Sequence, residues 1–368
     1  MCYPNTRVSV IEAIMEWVSD VSSPNDRILW IHGPLGSGKS AIAQTLAKNY
    51  TSESTNNCKL AASFFFSSTA PDRNTDKNLI ATLAYQLVRS ISGVEDYSAV
   101  LGPVVKSNPA IFESSLEEQI KSLIAKPLMQ AVKGLKSYSW PYLVIIDGVD
   151  ECSERDTQLN IINAIGVAIK EYDLPLRFII TSRPEMHLTT LFGSEDIEPI
   201  SKHISLQNPQ FDPEVDIECY LRSELARIWE GRLRGATSRW YTELDISAIL
   251  HRSNGLFIYA RMVIEFVENL KRQPDKQLKM MVAIPVIHGD PISPFAELEC
   301  IYDLLGANVN EVTSETIAGR PYGACVYMHL LVDSREALFR FLSKLSTEQL
   351  RALIQDGSDI YRAHIHHK

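Results

Sequence analysis

Apolar residues in this chain recur in two rhythms, and the change from one to the other divides it. Short unbroken runs suit strands buried on both faces: Ile28-Leu29-Trp30-Ile31, residues 59–66, Leu143-Val144-Ile145-Ile146, residues 176–182 and His203-Ile204-Ser205-Leu206. Between them the spacing is helical. Val10, Ile11, Ile14, Trp17 and Val18 predict a first helix capped by Asn5 or Thr6, and residues 41–47 predict a second. Leu79, Ile80, Leu83, Ala84, Leu87 and Val88 make a third. A fourth carries Leu116, Ile120, Leu123, Ile124, Leu128, Ala131 and Leu135, with Pro127 expected to kink or split it. Leu159, Ile162, Ile165 and Ile169 follow. Alternating strands and helices predict an α/β domain, a five-stranded parallel sheet joined by right-handed crossovers.

After residue 207 the strand rhythm stops. A helix is predicted from Asp212-Pro213 to Trp229, with Val215, Tyr220, Leu221, Leu225 and Ile228 apolar. Thr242-x-x-Asp245 has the form of a capping box for a helix ending at Asn254-Gly255, and residues 256–270 make another, apolar on much of its circumference. Three regions result: an α/β domain over 1–207, an all-α lid domain over 208–273, and a poorly defined C-terminal region over 274–368. In the last, residues 294–305, 334–345 and 347–354 read as helical, while 306–333 have no period.

Composition narrows the function classes. A net charge of −9 argues against a generally basic nucleic-acid surface. Six scattered cysteines, none in C-x-x-C spacing, suggest neither zinc nor disulfides and fit reduced thiols in the cytoplasm. No cationic start precedes an apolar core, and no run of about 18 apolar residues suggests a membrane span. His364, His366 and His367 are expected to be solvated, and Met328-His329 has no pattern around it.

The chemistry lies between the first strand and the second helix. Gly33-Pro34-Leu35-Gly36-Ser37-Gly38-Lys39-Ser40 fits G-x-x-x-x-G-K-[ST], with a strand before it and a helix after it. Glycines let the backbone wrap a polyphosphate. Successive N–H groups form an anion nest running into a helix N-terminus. Lys39 offers a charge to the β- and γ-phosphates, and Ser40 a hydroxyl to Mg²⁺. The third strand ends in Asp147-Gly148-Val149-Asp150-Glu151, which puts Asp147 at a strand's carboxyl end, where open α/β sheets bind ligands. Asp147 would join Ser40 in holding Mg²⁺. Either Asp150 or Glu151 could orient or deprotonate the attacking water. Arg183, after the fourth strand, is expected to sense the γ-phosphate. His32 and Phe64, Phe65 and Phe66 read as packed residues rather than as catalyst or base-stacking platform.

Together Gly33-to-Ser40, LVIIDGVDE (143–151) and LRFIITSRPE (176–185) resemble the NACHT class of STAND nucleotide switches. The surrounding text, from residues 61–87, 211–228 and 253–267, is similar to the fungal NLR-like, heterokaryon-incompatibility-type members. The resemblance covers roughly residues 3–305. It implies that 1–207 is the nucleotide-binding domain, 208–273 the helical domain and 274–368 a partial or degenerate winged helix. With them it implies an ADP-held resting state, slow hydrolysis, self-association with triphosphate bound, effector and sensor partners, and a role in non-self recognition or programmed cell death. It also assigns the phosphate and metal contacts to Lys39 and Ser40, the acidic motif to Asp147, Asp150 and Glu151, and the arginine after strand four to Arg183. Gly255-Leu256-Phe257 falls where related switches have a base-touching Gly-Leu-Pro, here without the proline. No N-K-x-D signature is present, which leans towards ATP over GTP. Two rivals stand beside this reading: a P-loop kinase for a small acceptor, and an interaction module that keeps nucleotide as a structural ligand.

Overall fold

Alternate residues of a strand face opposite sides of its sheet, so a strand covered on both sides must be apolar throughout. The computed structural model has five strands, β1 (Ile28–His32), β2 (Lys59–Phe65), β3 (Tyr142–Asp147), β4 (Leu176–Ser182) and β5 (Ser201–Ser205), and the rule holds in β1, β3 and β4, which are buried along nearly their whole length. They form one sheet in the order β2-β3-β4-β1-β5, every pairing parallel. Ile28, Trp30, Val144, Ile146, Phe178 and Ile180 feed one core layer, and Leu29, Ile31, Leu143, Ile145 and Ile179 feed the other. The edge strands β2 and β5 keep exposed polar positions at Lys59, Lys202 and His203. The structure describes residues 1–20, 25–51, 58–91, 95–132, 142–232, 240–268 and 273–283. It divides into two units, Met1–Asp212 and Pro213–Lys368.

Two helices, α1 (Val8–Ser19) and α2 (Lys39–Thr51), cover one face of the sheet through Val10, Ile14, Trp17, Ile42, Leu46 and Tyr50. The first helix is not capped by Asn5 or Thr6 as its sequence suggests. Arg7 occupies the cap position in a left-handed conformation (φ 58°, ψ 23°) with no side-chain cap, and the Thr6 hydroxyl instead donates to the Tyr3 carbonyl at 2.8 Å. A left-handed non-glycine residue costs about 1–2 kcal/mol, so a tertiary contact of Arg7 must offset it. The second helix begins at Lys39, two residues earlier than its apolar period indicates. Its first turn is thereby part of the phosphate loop.

The other face is covered by α3 (Leu79–Ser90), α4 (Glu95–Ser107), α5 (Leu116–Gln119), α6 (Lys126–Val132), α7 (Arg155–Tyr172) and α8 (Met186–Phe192). The connection from β2 to β3 thus holds more than the two helices its periodicity predicts. The predicted helix is split just ahead of Pro127, which is the second residue of α6. A π-helical segment, Ile120–Ala125, precedes it, and the wider turn gives room where the proline ring would meet the carbonyl four residues back. Leu116, Ile120, Leu123, Ile124, Leu128 and Ala131 are all buried. Leu135 lies outside the described residues.

The second unit is helical where it is described: α9 (Pro213–Arg232), α10 (Glu243–Ser253), α11 (Phe257–Val267) and α12 (Pro274–Ala283). Ile217, Leu221, Ile249, Val263, Phe266, Leu278 and Met281 share one core. The capping box is present in full. The Thr242 hydroxyl accepts from the Asp245 amide at 3.2 Å, and the Asp245 carboxylate accepts from the Thr242 amide at 2.7 Å. The C-terminal helical stretches, Met328-His329 and the terminal histidines lie outside the described residues. No described helix is long and apolar enough to cross a membrane.

Candidate phosphate-binding site

Strand β1 hands the chain to the loop at His32, and the loop's conformation depends on two glycines. Gly38 has φ +93°, a region that side chains rarely adopt. A Cβ on Gly33 would stand 2.8 Å from the Ser37 hydroxyl, so the turn closes only without one. The Pro34 carbonyl gathers the donors that tighten the turn: the Ser37 amide at 3.3 Å, the Ser37 hydroxyl at 2.8 Å and Lys39 Nζ at 2.9 Å. Lys39 also donates to the Gly33 carbonyl at 2.8 Å. Its ammonium is folded across the loop, where burial lowers its pKa and the carboxylates of Asp150 and Asp147 pull the other way. An ammonium hydrogen-bonded to neutral carbonyls gains when an anion replaces them, because charge-assisted hydrogen bonds are the stronger ones. Behind the loop, the Arg7 guanidinium donates to the Ser37 carbonyl at 2.9 Å.

Asp147 ends β3, with Gly148 left-handed (φ +71°) immediately after it. Its carboxylate is only 3% exposed and burial raises its pKa, while hydrogen bonds from Thr181 and Ser40 act to lower it. Thr181, at the end of neighbouring β4, donates to Asp147 Oδ1 at 2.6 Å and accepts from the Gly148 amide at 2.9 Å. The hydroxyl of Ser40 and the carboxylate of Asp147, predicted as a pair from residues 107 positions apart, therefore meet. An aliphatic hydroxyl beside a carboxylate is a hard oxygen set, which suits Mg²⁺ bound together with phosphate oxygens.

The acidic turn beyond it, Val149–Glu151, assigns its two carboxylates to different neighbours. Asp150, with a side chain 4% exposed, accepts from Arg183 Nε at 2.6 Å and from the Arg183 amide at 3.0 Å. Burial is the largest single influence and opposes the Arg183 charge, but the Asp150 hydrogen bond and the charges of Asp150, Glu185 and Glu151 together outweigh it and raise the guanidinium's pKa. Glu151 Oε2 accepts from the Ser68 amide at 3.0 Å, in the loop that follows β2. Gln158 of α7 braces the turn by donating to the carbonyls of Cys152 at 2.7 Å and Asp150 at 3.3 Å.

Every site residue named from the sequence thus lies in the loop or at the carboxyl ends of β3 and β4. Arg183 is brought to Asp150. Gly255-Leu256-Phe257 belongs to the second unit, where Gly255 is left-handed (φ +76°) and Leu256 precedes α11. His32 packs against Trp30 (ring centroids 4.3 Å), and its pKa is lowered by burial first, then by His203 and Lys39, which keeps the ring neutral near pH 7. Phe64 and Phe66 are core. Sequence reasoning missed Arg7, Thr181, Ser68 and Gln158. Only Thr181 carried a local signal: it is a polar residue closing an apolar strand. Arg7 and Ser68 act through contacts between distant segments, and Gln158 reaches back from the first turn of α7 to the carbonyls of the acidic turn just before it.

A loop of amides opening a helix, a lysine that can change partners and a buried carboxylate two strands away suit a magnesium-bound polyphosphate. The first unit is accordingly of the P-loop nucleoside-triphosphate-binding class, with a five-stranded parallel sheet. Comparison with known families agrees at that level: residues 10–183 match the family model described as Nephrocystin 3, N-terminal. No curated protein sequence matches. Solved structures with some likeness include one titled "Structure of Drosophila ORC bound to DNA" (14% identity, TM-score 0.45, covering 95% of this chain and 85% of that one). Another is the FIGL-1 AAA domain in complex with ADP (10%, TM-score 0.37, 83% and 89%). A third is a DNA replication initiation factor (14%, TM-score 0.28, 95% and 91%). At these TM-scores the likenesses carry no argument of their own.

Proposed function

We propose that this chain is a NACHT-type molecular switch. It binds ATP, or less favourably GTP, with Mg²⁺ at residues 33–40, hydrolyses it slowly and self-associates in the triphosphate state to engage effector and sensor partners. The observation that carries the reading is the meeting of Ser40 with Asp147 while Lys39 lies within the field of Asp147, Asp150 and Glu151. Lys39 would leave the Gly33 and Pro34 carbonyls for the β- and γ-phosphates. Ser40 and Asp147 would hold Mg²⁺, which neutralises charge developing on the phosphates. Asp150 is held at both oxygens by Arg183 and Glu151 at one by the Ser68 amide, and we take Glu151 as the group that would orient or deprotonate water. A γ-phosphate would compete with Asp150 for Arg183, and a contact made in one state only is what a ligand needs to shift a conformational equilibrium. Signalling in non-self recognition or cell death, in the cytoplasm, extends the same reading.

The test combines light scattering with phosphate release. Mass should rise with Mg·ATP and not with Mg·ADP. Glu151→Gln should keep nucleotide affinity and lose about 10²-fold or more of the phosphate release. Unchanged mass with both nucleotides, together with unaltered turnover in the variant, would reject the switch.

A further inference from the structure

Arg7 is the least expected part of the site. It is 2% exposed and held in a left-handed conformation, and its guanidinium donates to a main-chain carbonyl of the phosphate loop, that of Ser37. The arm before it is shaped to deliver it. Asn5 is also left-handed (φ 61°), Thr6 is tied to Tyr3 through both its amide and its hydroxyl, and the Cys2 amide donates to Thr45 Oγ1 on α2 at 2.9 Å. At the other end of α1, Arg177 of β4 donates to the carbonyls of Trp17, Val18 and Asp20 and lies over the Trp17 ring. One helix is thus pinned by two buried arginines, only one of which touches the phosphate loop.

We propose that Arg7 is a positioning residue for the phosphate loop, so that the affinity for polyphosphate depends on the N-terminal arm. The inference rests on the phosphate-binding role proposed above and adds a residue to it. In a trans peptide the C=O of one residue and the N–H of the next point opposite ways. Fixing the Ser37 carbonyl on Arg7 therefore fixes the Gly38 N–H on the far side. Gly38 has the backbone freedom to turn that peptide over, and no atom lies within 4 Å of the space its missing Cβ would fill. Released, the peptide can present a carbonyl where an anion needs an N–H. The guanidinium also adds fixed positive charge behind the nest.

Three variants, read with Mg·mant-ADP titration, thermal melts and hydrogen exchange, test this. Arg7→Met keeps an apolar stem in the buried space and removes the donors. It should weaken Mg·mant-ADP by about 10-fold or more, the worth of one charge-assisted hydrogen bond, and added guanidinium chloride should restore part of the affinity relative to equal sodium chloride. Arg7→Lys can still donate to the same carbonyl and should fall within about 3-fold of the unaltered protein. Arg177→Ala loosens α1 without touching the loop, so it should lower the melting temperature yet leave affinity within about 2-fold. Affinity unchanged in Arg7→Met, or lost equally in Arg177→Ala, would overturn the proposal. On the unaltered protein, Mg·ADP should raise amide protection over residues 6–12, because linkage between two sites is reciprocal. No change there would overturn it even if Arg7→Met failed to fold. If the unaltered protein bound no nucleotide, the proposed function would fall by itself. Exchange over residues 36–40 would then decide the positioning role, faster in Arg7→Met if it holds and unchanged if it does not.

Discussion

Thr181→Val isolates the polar link between the two central strands. The side chain is fully buried, and valine replaces its hydroxyl with a methyl of nearly the same shape, so the packing around it is kept. Two hydrogen bonds disappear: the one donated to the Asp147 carboxylate at 2.6 Å and the one accepted from the Gly148 amide at 2.9 Å. Water cannot readily replace either, because Asp147 is itself buried. A bond to a charged acceptor contributes about 1.5–3 kcal/mol, and a stranded buried N–H costs about 1–3 kcal/mol. The two overlap, so the expected loss is about 3 kcal/mol, or on the order of 10 °C in melting temperature for a unit of this size. Thr181→Ser keeps both bonds and gives up one methyl, for about 1 kcal/mol. Urea unfolding of the two variants, compared at equal slope, measures the difference. If valine and serine came within about 0.5 kcal/mol of each other, the hydroxyl would not be holding Asp147.

Two further outcomes follow from the same carboxylates. Burial foremost raises the folded pKa of Asp147, so the unfolded chain ionises first. The fold loses stability as pH climbs past the unfolded value near 3.8, and the loss is complete above the folded value. Asp147→Asn should therefore unfold at higher urea than the wild type at pH 7, with the gap closing below pH 3.8, while Mg·nucleotide affinity falls. An asparagine variant no more stable at pH 7 than the wild type would contradict this. Arg183→Met leaves the buried Asp150 carboxylate with only the Arg183 amide and should cost about 2 kcal/mol, the low end for a buried pair because the guanidinium is partly exposed. Adding Asp150→Asn should recover part of that loss in a double-mutant cycle, and strict additivity would rule the coupling out.

Much of this architecture can be read from local pattern, for physical reasons. A strand buried on both faces has to be apolar without interruption, which is why the runs on β1, β3 and β4 are so plain and why Asp147 stands out at the end of one, while the edge strand β5 is largely polar and fits its predicted run only in part. The phosphate loop is legible because each of its chemical demands falls on consecutive residues. What pattern misses depends on distant neighbours. Arg7 takes the helix cap that Asn5 or Thr6 would fill in isolation, because Ser37, thirty residues away, rewards it. Local rules predict the split at Pro127 but not the π-helical turn before it, which lets a core-facing stripe continue. That Asp150 pairs with Arg183 while Glu151 binds the Ser68 amide emerges only when β4 and the loop after β2 come alongside.

Calorimetry of Mg·ATP binding to the wild type and to Lys39→Ala is the most direct measurement. Lys39 Nζ donates to the Gly33 and Pro34 carbonyls in the loop after β1, and alanine removes that ammonium with little effect on the packed strands. The wild type should bind with measurable heat, and the variant should bind at least about 100-fold more weakly at nearly unchanged melting temperature. Equal binding by both proteins, or no heat from the wild type with any Mg·nucleotide, would contradict the account.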